Sequence, residues 1–121
     1  MPHAIFSSPQ VAGVGFKEQE LRREGIEYEK SVYPYMNTAR GQALEDKAGF
    51  VKFLVDKKTR KILGCHIVGS QASIPIHEVL VAMNANGNRH GSDGGTIDNI
   101  TKTVHIHPAL SEVVARAANV I

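Results

Sequence analysis

A chain of 121 residues, 42% hydrophobic and 21% charged, is long enough for one core and too apolar to stay disordered. With 14 lysines and arginines against 12 aspartates and glutamates, the net charge of +2 leaves no electrostatic footprint for a nucleic acid. The single cysteine, Cys65, excludes an internal disulfide, a Cys-x-x-Cys redox pair and a thiolate-rich zinc site.

Residues 4–6 and 11–16 are short apolar pieces separated by Ser7-Ser8-Pro9-Gln10. They predict two extended segments of edge structure with a bend between them. Residues 17–24 predict a short solvated helix, ended by Gly25. Residues 28–36 predict a strand, and Pro34 places it at an edge or breaks its pairing. Residues 37–48, polar and containing Gly41, read as a connection. Residues 49–55 and 62–68 are two strand-like runs joined by Asp56-Lys57-Lys58-Thr59-Arg60-Lys61, a hairpin whose basic cluster is a solvated turn. Cys65, inside the second run, reads as a packing residue.

Residues 72–86 carry Ile76, Val79, Leu80 and Met83 at helical spacing, one apolar stripe to cover a sheet face. Residues 87–95 are a glycine-rich surface loop. Residues 96–103 predict a short helix, and residues 108–118 a final one with proline in its first turn. Together these elements predict an α+β fold: a largely antiparallel sheet with helices packed on one side, in one domain over residues 1–121. The start, Met1-Pro2-His3, has no signal-peptide features, and no stretch approaches the roughly 20 apolar residues of a membrane span. A cytoplasmic setting without a membrane is expected.

The segment Val104-His105-Ile106-His107-Pro108-Ala109-Leu110-Ser111-Glu112 carries the chemistry. Proline restricts the residue before it, so His107 is held at the helix entrance. Glu112, about one turn into the helix, can hydrogen-bond one ring nitrogen, fixing the tautomer and favouring the charged ring while the positive helix end opposes it. Such a pair is an acid-base group tunable near neutral pH. From spacing alone, capping or packing by His107 stays open, and so does chelation of a metal by His105 and His107. No acidic or cysteine partner stands at ligand spacing, so no metal is expected. His66, His77 and His90 read as structural or solvated.

The run HIHPALSE resembles the H-x-H-P-T-L-S-E signature near the carboxyl end of dihydrolipoamide dehydrogenases and their disulfide-reductase relatives. The run from Ile5 to Gly15 is similar to the family's I-F-T-x-P-E-I-A-x-V-G strand, and Asn37-Thr38-Ala39-Arg40 to its N-x-R-A connection. Gly49-Phe50-Val51-Lys52 and Ile62-Leu63-Gly64-Cys65-His66-Ile67-Val68-Gly69 resemble its G-F-V-K and I-L-G-x-H-I-V-G hairpin. The likeness runs in order along nearly the whole chain. It implies the C-terminal dimerisation domain of the pyridine nucleotide-disulfide oxidoreductase family. In that family, His107 would be the acid-base catalyst reaching the redox dithiol and flavin of the other subunit of a homodimer. Glu112 would orient it, and the backbone at His107 and Pro108 would lie near the partner's FAD.

FAD and NAD(P) would belong to the intact enzyme, whose nucleotide-binding domains this chain lacks; there is no G-x-G-x-x-G motif and no Cys-x-x-x-x-Cys. The chain alone is therefore expected to be inactive and to dimerise, with the remaining domains of the same protein and a lipoyl-bearing protein as further partners. Three departures stand out: Ala109 for the family's threonine, a long stretch over residues 86–95, and no terminal cysteine pair of the mercuric reductase kind. Two alternatives stay open, a stand-alone homodimerising module and a domain of a divergent mercuric reductase-like enzyme.

Overall fold

In a computed structural model that describes residues 1–85 and 95–121, five antiparallel strands form one sheet, ordered β1-β2-β5-β4-β3. The strands are β1 (His3–Ile5), β2 (Gln10–Gly15), β3 (Tyr28–Pro34), β4 (Phe50–Asp56) and β5 (Ile62–Gly69). The helices are α1 (Glu18–Arg23), α2 (Ala39–Ala43), α3 (Ile76–Asn84), α4 (Asp98–Thr101) and α5 (Glu112–Asn119). This is the expected α+β arrangement.

The β4–β5 hairpin is the spine of the sheet, because alternation gives its two faces different tasks. Val51, Phe53, Val55, Cys65 and Ile67 point to one face and are buried there with Ala12 and Val14 of β2. That face carries α3 and α5, with α4 packed against both helices. Val113, Val114, Ala117 and Ala118 of α5 and Ile76 and Val79 of α3 close the core. Ser31 of β3 fastens α5 by donating from its hydroxyl to the Ala117 carbonyl, 2.7 Å away.

Asp56 organises the hairpin turn by accepting the backbone N–H groups of Lys58 and Thr59, both at 2.8 Å. Burial pushes the Cys65 thiol well above its ordinary range, consistent with a packing role.

Four expectations are corrected. β2 lies between β1 and β5 rather than at an edge, so of these two strands β1 alone is outermost. Helix α1 is more than a solvated surface, for Leu21 is fully buried. Its Glu18 meets Lys30 and Lys52, which alternation places on the sheet face away from α5, so α1 lies over the opposite face. The connection over residues 37–48 contains structure, a 3-10 turn at Tyr35–Asn37 and then α2. The Thr38 hydroxyl caps that helix by accepting the N–H of Gly41 at 3.1 Å.

The last helix begins at Glu112 instead of Pro108. Residues 108–111 precede it as a turn, and the Ala109 N–H is taken by the Glu112 side chain at 3.0 Å. The loop expected over residues 87–95, with His90, lies outside the described residues apart from Gly95. Among the described residues, no helix is long and apolar enough to cross a membrane.

Candidate functional site around His107

Between α4 and α5 the chain runs as an irregular segment, and among the described residues Val104 to His107 make no backbone–backbone hydrogen bond. Side chains hold it instead. His107 Nδ1 lies 2.9 Å from Glu112 Oε1 and 3.1 Å from Oε2. The carboxylate can only accept, so Nδ1 carries the hydrogen and donates it. Nε2 then keeps its lone pair. The ring is 68% exposed while the Glu112 side chain is 12% exposed, so the acceptor nitrogen belongs to a ring that stands out from the surface.

Glu112 is itself well placed. It is the first residue of α5, where free N–H groups and the helix dipole favour a negative charge. Its hydrogen bond from His107, helped by the Ala109 N–H and by the charges of His107 and Arg116, holds its carboxyl below the usual range against partial burial. The helix end thus acts on the carboxylate, whereas the sequence had suggested that it would oppose charge on His107. The His107–Pro108 bond is cis.

His105 is turned elsewhere. Its Nδ1 donates to the Thr103 carbonyl at 3.0 Å, and its Nε2 meets Glu78 Oε1 of α3. Both ring nitrogens therefore face acceptors. This separates the two histidines chemically. His105 is fully engaged, and His107 has one nitrogen to offer.

The two rings address separate carboxylates and do not converge, so the chelate that alternation allowed is not assembled here. Among the described residues, no group of three or more histidine, cysteine, aspartate or glutamate side chains could hold a metal. No motif or spacing marks Glu78, which stands 27 residues before His105. Of the remaining histidines, His66 bonds through Nε2 to the Phe16 carbonyl at 2.9 Å, and His77 is exposed on α3.

The family model for the pyridine nucleotide-disulphide oxidoreductase dimerisation domain matches residues 1–118. The chain belongs to this family. Over 118 residues the domain is 39% identical to a mitochondrial dihydrolipoyl dehydrogenase of Dictyostelium discoideum. It is 36% identical over 118 residues to dihydrolipoyl dehydrogenase 1, mitochondrial, of Arabidopsis thaliana; each match covers 98% of this chain and 22% of the relative. The chain therefore spans about a fifth of the length of these curated relatives.

Among solved structures, LpdA from Mycobacterium tuberculosis superposes with a TM-score of 0.84 at 24% identity, over 98% of this chain and 24% of that one. The Cu(II) complex of the HOCl-induced flavoprotein disulfide reductase RclA from Escherichia coli gives 0.87 at 23%, over 100% and 26%. At these identities the two structures speak for the fold of the dimerisation domain.

Proposed function

We propose that this dimerisation domain is the C-terminal part of a flavin-dependent disulfide oxidoreductase of the dihydrolipoamide dehydrogenase type. It would give His107 to the redox dithiol of the partner subunit as the acid-base group. The observation that carries the reading is the His107–Glu112 bond: a mostly buried carboxylate fixes the tautomer of a ring whose other nitrogen can accept a proton. A thiol attacks a disulfide as its thiolate, so a neighbouring imidazole that takes the thiol proton and later returns it serves both directions of the exchange. Glu112 would orient the ring and stabilise the imidazolium formed in between.

FAD and NAD(P) fit this chain only at its margin. The sequence has no G-x-G-x-x-G phosphate-binding motif, and what the domain offers a flavin is the exposed backbone at His107 and Pro108, on a segment that makes no backbone–backbone hydrogen bond among the described residues. Bound by the other domains, the flavin would supply electron transfer between the pyridine nucleotide and the dithiol. The residues described here would hold and move one proton at His107 Nε2. The buried thiol of Cys65 suits a reducing compartment, cytoplasmic or mitochondrial alike.

The test is His107→Gln in the full-length enzyme, with turnover of dihydrolipoamide measured at saturating NAD. The expected loss is about 100- to 10,000-fold in kcat, the usual worth of general acid-base catalysis, with dimerisation and flavin content unchanged. Glu112→Gln, which keeps an acceptor for Nδ1–H but removes the charge, should lose less. A His107→Gln enzyme with normal turnover would remove the proton-transfer role.

A further inference from the structure

We infer that Glu78 is a positioning residue for His107, acting through His105; this rests on the acid-base reading of His107 and adds a residue to it. Within one subunit, the segment that presents His107 has little else to hold it. Val104 and Ile106 are 96% and 79% exposed, so neither anchors the segment in the core. With no backbone–backbone hydrogen bonds from Val104 to His107 among the described residues, an open segment of this kind would sample many conformations.

Two histidine–carboxylate pairs fasten it at alternate positions. His107 is held to α5 through Glu112, five residues away. His105 is held to α3 through Glu78, and its other nitrogen closes on Thr103 at the end of α4. The first pair fixes the direction of the His107 ring, and the second fixes where its backbone stands relative to α3 and α4. Without Glu78 the ring would keep its local partner but lose its fixed place, and a base that must meet a dithiol on another subunit loses rate when it is misplaced by about 1 Å.

Two measurements test this. In the 121-residue chain, backbone 15N relaxation should show order parameters for residues 105–107 falling from roughly 0.85 to below 0.6 in Glu78→Ala. Glu78→Gln, which can still bond to His105, should keep them high, and amides of β4 and β5 should not change in either variant. His105→Leu cuts the tie from the other end and should repeat the Glu78→Ala result. Unchanged order parameters in both Glu78→Ala and His105→Leu would overturn the inference.

In the full-length enzyme, Glu78→Ala should lower kcat by about tenfold with KM for the pyridine nucleotide unchanged, and Glu78→Gln should restore most of it. In a His107→Gln background the same alanine should cost nothing further, since a positioning residue acts only through the group it positions. An equal loss in both backgrounds would mean a general structural role and would sink the proposal. Should His107→Gln alone turn over normally, the acid-base reading fails, while the order parameters still decide whether Glu78 holds the segment.

Discussion

Glu18 lies on a helix that reads as solvent-facing, yet its carboxylate collects the Lys52 and Lys30 ammonium groups, the Arg22 guanidinium and the Tyr28 hydroxyl. The Lys52 hydrogen bond is the largest influence. With the Tyr28 hydroxyl and the lysine charges it outweighs burial and pulls the carboxyl from 4.5 down to about 2. A carboxyl depressed in the folded state adds stability above its unfolded value and gives it up as pH falls toward its folded one. The window here runs from pH 4.5 down to about 2. Because the partner cations are partly exposed, solvent screening reduces the full linkage value, and Glu18→Gln should cost about 2 kcal/mol at pH 7. Urea unfolding at pH 7 and at pH 3 checks this: the gap between native and variant should narrow at the lower pH. A gap independent of pH would show that the ion cluster is not its source. Glu112, also held below its ordinary value, shares the sign, so acid loosens the His107 site and the α1 corner together.

At the level of elements, the junction of β3, β4 and β5 turns on Tyr35. The ring is fully buried, its hydroxyl donates to the Ser70 carbonyl at 3.1 Å, and two glycines leave room for it. A Cβ on Gly69 would stand 2.7 Å from Tyr35 Cζ, and Gly69 also has a φ of +145°, a region almost closed to other residues. Gly69→Ala should therefore destabilise the domain by about 3 kcal/mol, combining overpacking with backbone strain. Thermal unfolding of the variant should show a clearly lowered Tm, with Tyr35→Leu in the Gly69→Ala background recovering part of it. A Tm within a degree of the native value would contradict this account.

Such steric fits explain which elements were legible. The β4–β5 hairpin could be read because a two-sided sheet writes its alternation into consecutive residues. Helix α3 could be read because its buried stripe recurs every three or four residues. Helix α2 could not, since five residues around Gly41 show no period, and the start of α5 was misplaced because a proline favours a first turn that Glu112 instead caps from within the helix. His107 and Glu112 were legible as neighbours five residues apart. Glu78 was not, because its link to His105 spans residues that only the fold brings together.

For the whole molecule, the two faces of the sheet differ in what they leave uncovered. On the helical side, Val81 of α3 is 69% exposed beside Thr103 and Asn99, across a cleft of about 490 Å³ shared with Glu78, and Val104 and Ile106 stand out from the neighbouring segment. On the other side, α1 and the Glu18 cluster set charge around the exposed Val32. A family that dimerises through this domain has reason to use the first side if His107 serves the partner subunit as proposed, because such a group must sit beside the contact. Homodimerisation through Val81, Val104 and Ile106 would bring His107 to the partner and remove these apolar side chains from water, each worth about 1.5–3 kcal/mol when fully buried. Val81→Asp should thus weaken self-association of the chain at least about tenfold, which corresponds to 1.4 kcal/mol, with its circular dichroism unchanged. Val32→Asp, at an exposed position on the opposite sheet face, should leave association as it was. Sedimentation equilibrium over a range of protein concentrations separates the cases. Equal weakening by both substitutions would point to general destabilisation, and weakening by Val32→Asp alone would move the dimer contact to the sheet face away from α5 and overturn this assignment.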